Sequence, residues 1–328
     1  MNKVNLLNKR ILYIGEIMFH YDKYIVDKLI DLKAKVDAFE IYPTQNNLYF
    51  RLLKKLKLPA IELYKQDFYN KILIKKDYDY VLIKTGHQLD NSFLEKLKNL
   101  NPNAKFINFH WDSIRAEYDY LHIMKFFDKI YSFDYRDAQT NNEINYLPLF
   151  YIDEYLEHGK IPDYKKKEID LLFIGSWRDT ERYQLVKSTQ KICKQNQLRF
   201  YYYLNYPFKA QFDSLKKGII AKESRHRKLS HKEILKLFSI SNTIIDFPSS
   251  FQTGLTIRTF EALGAGKKLI TINKNIMTEP FYDPQYINVV DLNNFDLNID
   301  FIKNIPTSSI QDKMKNYSLE NYINKLLQ

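Results

Sequence analysis

Residues Asp246-Phe247-Pro248-Ser249-Ser250-Phe251-Gln252-Thr253-Gly254-Leu255-Thr256-Ile257-Arg258-Thr259-Phe260-Glu261 hold the densest chemistry in this chain. An apolar run ends at Phe247, a polar loop follows, and a helical pattern begins near Gly254. A glycine there lets the backbone approach a ligand closely. The free amides at the start of the helix lie at its positive dipole end, a ready place for a phosphate. Arg258 and Glu261 are three apart and share a helix face. A cation beside a diphosphate and a carboxylate accepting two ribose hydroxyls would both be used there. The alternative is a Thr-capped helix with an ordinary i, i+3 ion pair.

A second knot of charge is Arg225-His226-Arg227-Lys228 with His231. Cations in such a run repel one another unless an anion or solvent takes the charge. The run is either an anion site, a solvated face or a membrane-contact loop. Residues 49–76 carry eight basic and two acidic side chains interleaved with Leu, Ile, Phe and Tyr. Such a stretch either lies on an anionic membrane surface or forms a cationic outer helix.

Several signals fail. Gly264-Ala265-Gly266-Lys267 hints at a phosphate loop, but Glu261 and Lys268 stand where a Walker A motif needs Gly and Ser or Thr. Leu269 removes a dinucleotide fingerprint. Asp77-Tyr78-Asp79 precedes a strand instead of ending one and reads as a polar lead-in. Seven scattered histidines show no metal spacing.

These residues must be held by elements, and the chain alternates short apolar runs with amphipathic ones. Ile11–Gly15, Val36–Ile41, Tyr80–Lys84, Phe106–His110, Ile130–Phe133 and Tyr146–Leu149 read as buried parallel strands. Helical patterns over Tyr21–Leu32, Asp90–Leu100 (with Asp90 as N-cap) and Asp134–Glu143 lie between them. After a linker over 151–168 the pattern restarts with strands at Ile169–Gly175, Arg199–Leu204, Thr243–Phe247, Lys268–Ile272 and Ile287–Val290. Helices are expected at Glu181–Gln195, Ser230–Ser239 and Gly254–Leu263, and a closing helix follows Ser318. Strict alternation means right-handed βαβ units. The expected architecture is α/β: two tandem Rossmann-like domains, residues 1–150 and 169–328, with the closing helix in the second. Ligands then sit beyond the strand ends, in an interdomain cleft.

Composition bounds the rest. Of 328 residues, 45% are hydrophobic and 27% charged, an ordinary globular mix that excludes wholesale disorder. A single cysteine, Cys193, rules out a disulfide framework and fits a reducing cytoplasm. No run approaches the ~18 apolar residues of a membrane span. The first apolar run reads as a strand, not a signal peptide. Fifty basic against thirty-nine acidic residues give +11, which favours polyanionic partners. Ten of the fifty are Arg and the rest Lys, which argues against base-reading forks and so against sequence-specific nucleic-acid readout.

The strand, Pro-Ser loop, Gly-Leu-Thr and Glu-Ala-Leu-Gly-Ala-Gly order resembles the nucleotide-sugar site of GT-B glycosyltransferases. More narrowly, it is similar to bacterial enzymes of lipopolysaccharide-core and capsular oligosaccharide synthesis. Phe109-His110-Trp111-Asp112-Ser113, Phe127–Asp134, Tyr146-Leu147-Pro148-Leu149-Phe150-Tyr151, Phe173-Ile174-Gly175-Ser176-Trp177 and Pro280-Phe281-Tyr282 fit the same family. The likeness covers most of residues 75–290. It implies transfer from a nucleotide-sugar, favoured as a UDP-sugar, to a lipid-linked or lipopolysaccharide or capsular oligosaccharide acceptor. It also implies no metal or other cofactor, no nucleic-acid partner, and a cytoplasmic location peripheral to the inner face of the membrane.

On this resemblance, Gly175 and Ser176 turn toward the diphosphate, with Arg178, Arg225 and Lys228 neutralising it. Gln252, Thr253, Gly254, Leu255, Thr256, Arg258 and Glu261 complete the donor side. Retaining GT-B enzymes often carry two glutamates eight positions apart. Glu261 matches the second and Thr253 stands at the first, so the motif assigns no stereochemistry. For the acceptor-side base the candidates are Glu16, His20, Asp22, His87 and Asp112, all near strand ends of the first domain. His20 and His87 have the right intrinsic pKa. Asp112 leads because it follows a strand within Trp-Asp-Ser. The rivals are a non-catalytic anionic-surface or nucleic-acid binder on degenerate domains, and a nucleotide-sugar epimerase.

Overall fold

A computed structural model describes residues 3–17, 20–41, 52, 56, 60–114, 120–157, 168–206, 225–249 and 251–328, with the side chain of residue 20 left aside. The chain divides into two units, Met1–Pro148 with Leu319–Gln328, and Leu149–Ser318.

The first unit is built on six parallel strands: β1 (Arg10–Gly15), β2 (Lys35–Glu40), β3 (Tyr80–Lys84), β4 (Lys105–His110), β5 (Lys129–Ser132) and β6 (Ile144–Tyr146). Their order is β2-β1-β3-β4-β5-β6. The chain runs outward on one side of β1 and then returns to β3 on the other. That reversal is the topological switch point, where the crossovers leave opposite faces and open a crevice at the strand ends. Apolar runs make these strands because both faces are covered: Leu12, Ile14, Val81, Ile83, Phe106, Phe93, Leu94 and Leu97 share one core. Helices α1 (His20–Asp31), α2 (Ala60–Ile72), α3 (Asn91–Leu100), α4 (Leu121–Met124) and α5 (Tyr135–Thr140) connect the strands.

The second unit repeats the plan. Strands β7 (Ile169–Ser176), β8 (Phe200–Asn205), β9 (Ser241–Asp246), β10 (Lys268–Thr271) and β11 (Ile287–Val289) are all parallel, in the order β11-β10-β9-β7-β8. The switch point falls between β7 and β9. Helices α6 (Asp153–Glu157), α7 (Thr180–Gln195), α8 (His231–Ser239), α9 (Ile257–Gly264), α10 (Ile299–Lys303) and α11 (Gln311–Met314) belong to this unit.

Three sequence expectations are corrected. The closing helix, α12 (Leu319–Leu327), groups with the first unit, not the second. It buries Tyr322, Ile323, Leu326 and Leu327, and Lys105 Nζ donates to the carbonyls of Leu327 (3.2 Å) and Gln328 (2.7 Å). A cation at a helix C-terminus satisfies orphan carbonyls and opposes the dipole. The strand expected at Tyr146–Leu149 lies earlier, at Ile144–Tyr146, because its partner β5 ends at Ser132, opposite Tyr146. Asp90 occupies the N-cap of α3 as expected, although its side chain makes no capping bond. The helix expected from Gly254 begins at Ile257, since residues 252–256 are held as a loop. Residues 158–167 of the expected linker and residues 49–51, 53–55 and 57–59 of the basic stretch over 49–76 lie outside the described residues.

Candidate functional site

The second unit's switch point gathers most of the donor-side residues. Ser176 ends β7 and Phe247 follows β9. One side chain joins the two: Arg182, in the first turn of α7, donates to Ser176 O (3.1 Å) and Phe247 O (2.5 Å). Asp179 caps α7 by accepting from Arg182 N at 2.8 Å and pairs with Arg178. Burial pulls the Arg182 guanidinium down to about 10, reinforced by Arg178. The Gly175 position has a structural cause: a Cβ there would come within 2.8 Å of the Phe173 ring.

Beyond β9 the loop is held from below. Asn273, just after β10, donates to the carbonyls of Thr253 (3.1 Å) and Gly254 (3.0 Å), and Asn275 donates to Thr253 O (2.9 Å). Gln252 adds a longer bond to Gly254 O at 3.4 Å. Leu255 is buried beneath. Thr256 stands at the N-cap of α9, yet its hydroxyl does not cap. It donates instead to the carboxylate of Asp246 at 2.6 Å, with Thr259 adding a second bond at 3.3 Å. Thr259 N donates to Thr256 O at 3.1 Å, and the amides of Ile257 and Arg258, without a side-chain cap, keep their partial positive charge for an anion. Burial raises the Asp246 carboxyl, and the Thr256 bond and Arg182 oppose it.

One turn into α9, Arg258 Nη1 lies 2.5 Å from Glu261 Oε2. The spacing brings the two together as the sequence implies, but the pair is no surface bridge. Glu261 is 1% exposed, and burial raises its carboxyl well above the ordinary value. The Arg258 guanidinium sits 5.3 Å from the Phe238 ring centre. Tyr155 of α6, fully buried and pushed up to about 12 chiefly by burial, points a hydroxyl into the same region. Tyr155 Oη, Arg258 Nη1 and Glu261 Oε2 are buried together, and the last two partner each other in that ion pair.

The cationic knot separates into parts. Arg227 is taken by Glu233 through two bonds (2.8 and 2.6 Å), and Glu233 also completes a capping box with Ser230. The anion that relieves this arginine is thus internal. Arg225 extends from a bridge to Asn205 and lies over the Tyr203 ring at 5.0 Å. Lys228 is exposed in the following turn.

In the first unit the switch point lies between β1 and β3. Lys84, the last residue of β3, places Nζ 2.7 Å from Asp22 Oδ2 and 3.6 Å from Glu16 Oε2. Asp22 is fully buried and also accepts from the Tyr13 hydroxyl. Burial raises its carboxyl and Lys84 opposes the rise. The ammonium sits 4.2 Å from the centre of the Trp111 ring, whose Nε1 donates to Tyr322 at 3.0 Å.

The turn after Lys84 is strained. Thr85 has φ 67° and Gly86 φ 95°. A β-branched residue in the left-handed region is costly, and persists only where its surroundings enforce it. Here Thr85 N donates to Phe109 O (2.9 Å), and Asn108 Nδ2 donates to Ile83 O (2.8 Å) and Thr85 O (2.7 Å). With both amide protons of Asn108 used, its oxygen accepts from His110 Nε2 at 2.5 Å. His110 is buried and neutral, its pKa pulled down to about 3 mainly by burial.

Of the expected bases, His87 follows this turn, half-buried against Tyr120, with its pKa lowered by burial and by His122. Asp112 follows β4 and is exposed, and among the described residues no hydrogen bond or ion pair fixes it. His20 opens α1. Asp79 is the lead-in expected, accepting from Arg10 N at 2.8 Å and Lys9 at 2.7 Å. Among the described residues no cluster of His, Cys, Asp and Glu could hold a metal ion, and no helix is long and apolar enough to cross a membrane. Sequence reasoning missed Arg182, Asn273, Asn275, Tyr155, Asn108 and His110, because their roles depend on contacts between distant elements. Asp246, an acid that follows Ile244 and Ile245 at the end of β9, was the legible signal.

No protein-family model and no curated protein matches this chain. Solved structures do match it. An alpha-glucosyltransferase in complex with UDP and a 13-mer DNA containing a central A:G mismatch is 13% identical, with a TM-score of 0.61 over 96% of this chain and 94% of that one. The alpha-glucosyltransferase in complex with UDP-glucose and DNA containing an abasic site is 14% identical, with a TM-score of 0.56 over 98% and 95%. Sucrose-phosphate synthase from Thermosynechococcus elongatus is 11% identical, with a TM-score of 0.54 over 97% and 93%. The likeness at these identities is one of fold: this chain has the two-sheet α/β fold of GT-B glycosyltransferases.

Proposed function

We propose that this chain is a glycosyltransferase that moves a sugar from a nucleotide-sugar, favoured as a UDP-sugar, to a lipid-linked or lipopolysaccharide or capsular oligosaccharide. The observation that carries the reading is the start of α9, where Thr256 bonds Asp246 and leaves the first-turn amides to an anion. The Glu261 carboxylate lies one turn along the same helix, paired with Arg258. Similar folds solved with UDP or UDP-glucose support a uridine nucleotide.

In this reading Glu261 accepts ribose hydroxyls, and the α9 amides with Arg178, Arg225, Lys228 and Arg258 take the diphosphate. Gly175, Ser176 and the Gln252–Leu255 loop flank it. As the bond to the sugar breaks, negative charge grows on the departing diphosphate, and preorganised donors stabilise it there. A base in the first unit takes the acceptor hydroxyl's proton, with Asp112 the first choice, then His20 and His87. The chemistry uses no metal. The enzyme works at the inner face of the membrane through Lys54, Lys55 and Lys57, which lie outside the described residues.

The test is thermal stabilisation by UDP, GDP, CMP and dTDP against a short oligonucleotide, at two salt concentrations. Ligand that binds only the folded chain raises its melting temperature. Stabilisation by one nucleotide at moderate salt supports the reading. Salt-sensitive binding of the oligonucleotide alone favours a nucleic-acid binder, a rival supported by the net charge of +11 and by a similar fold solved with DNA. On the acceptor side, Asp112→Asn, His20→Ala and His87→Ala are each measured for UDP binding and transfer. Loss of the true base lowers turnover by about 10²–10⁴ with nucleotide binding intact. Wild-type rates in all three place the base elsewhere.

A further inference from the structure

We propose that the strand ends of the first sheet form a binding subsite for a neutral saccharide, read by Glu16, Lys84 and Trp111. As an acceptor subsite it rests on the sugar-transfer reading, but as a binding site it stands on the first unit alone.

The fold carries costly features here that stability does not explain. Lys84 and Asp22 form a buried ion pair, an arrangement that apolar side chains of similar size commonly equal or better. Directly after Lys84 comes the left-handed Thr85, pinned by the buried Asn108 and His110. Strain and buried charge concentrated at one switch point mark a site.

The chemistry of the groups selects the ligand. Lys84 has three N–H donors, one of which goes to Asp22 at 2.7 Å, while Glu16 stands beyond hydrogen-bond length at 3.6 Å. Glu16 is exposed, with lone pairs turned to solvent and held near the ammonium. Two carboxylates face one cation, so a phosphate or carboxylate ligand meets no net positive charge. A free cation meets the Lys84 ammonium. A hydroxyl both donates and accepts, and adjacent hydroxyls of one ring can donate to Glu16 and accept from Lys84. Trp111 is half-buried, with its ring packed against the Lys84 ammonium. Its apolar surface beside these groups suits the C–H face of a pyranose.

The experiment is saturation-transfer NMR on the full chain with methyl glucoside, methyl galactoside and lactose, with inorganic phosphate as competitor. At least one glycoside binds saturably, Glu16→Gln weakens it by about tenfold or more, and phosphate does not displace it. Glu16 is exposed, so its replacement leaves the core untouched. Trp111→Phe, which keeps an aromatic ring, weakens binding less than Trp111→Ala does. Absence of binding by every glycoside, equal binding by Glu16→Gln, or displacement by phosphate overturns the proposal. UDP binding is measured on the same samples: UDP binding without glycoside binding overturns this inference alone. Glycoside binding without UDP binding overturns the donor reading and leaves the subsite.

Discussion

The two sheets share one strand order and solve the same problem with opposite chemistry. Each reverses direction between its first and third strands, β1 and β3 in one, β7 and β9 in the other. Each puts a buried carboxylate beside that reversal, Asp22 or Asp246. In the first unit the carboxylate is neutralised by a buried ammonium from the neighbouring strand. In the second it is met by the hydroxyls of Thr256 and Thr259, from the helix that follows its own strand. That choice decides what remains for a ligand. The hydroxyl solution draws the cap away from α9 and frees amides for an anion, whereas the ion-pair solution leaves no spare positive charge. Topology therefore sets where a site lies, and the partner of one acid sets what the site binds.

The sharpest way to break the comparison is to remove the ammonium. Lys84→Met strands Asp22 in the core and should destabilise the chain by about 3–5 kcal/mol, read by urea unfolding. Lys84→Met with Asp22→Leu should recover most of that loss. If the single variant is as stable as the parent, water reaches Asp22 and the pair is not buried as described.

The counterpart acts on affinity. Glu261→Ala should weaken UDP by about 1.5–3 kcal/mol in calorimetry, the scale of a charged hydrogen bond. Helix α9 keeps its propensity, since alanine is the best helix former. An unchanged dissociation constant leaves Glu261 as no more than the partner of Arg258.

A third effect depends on pH and belongs to the first unit. His110 is held neutral to about pH 3 in the folded chain, while an unfolded histidine titrates near 6.5. Between those values the unfolded chain binds more protons, so stability rises with pH across that window and falls on acidification. Acidifying from neutrality to about pH 5 should cost about 2 kcal/mol from this group. His110→Gln should show a shallower pH dependence, because the amide donates to Asn108 without titrating. Equal slopes for parent and variant would mean that His110 takes up its proton in the fold as readily as in the unfolded chain.

The strands were legible because burial on both faces leaves apolar runs that little else produces, and ten of the eleven strands overlap such runs in register, with β6 displaced toward Ile144. Glu261 and Arg258 were legible because helix spacing is local. Asn273 and Asn275 were not: they hold a loop some twenty residues away, and nothing in their neighbourhood signals it. The closing helix was misassigned for a related reason. Its apolar face shows that it packs, but only the contacts from Lys105, Trp111 and Tyr131 show against what.

The smallest expected effect tests whether the strain at the first switch point serves binding. Thr85 is β-branched, at φ 67° and followed by Gly86 at φ 95°. Thr85→Gly removes the Cβ that makes this conformation costly, and glycine adopts it freely. Glycine also loses more entropy on folding, so the net gain should be about 1 kcal/mol, not the full strain. The backbone bonds that pin the turn, Thr85 N to Phe109 O and Asn108 to Thr85 O, need no side chain and survive. Chemical unfolding should therefore show a slightly more stable chain. The glycoside titration should show weaker binding, because the turn after Lys84 then samples conformations that the threonine excludes. A gain in stability with binding unchanged would make the strain incidental. A loss of stability would mean that the Thr85 side chain itself packs, and that the comparison between the two switch points rests on Lys84 and Asp22 alone.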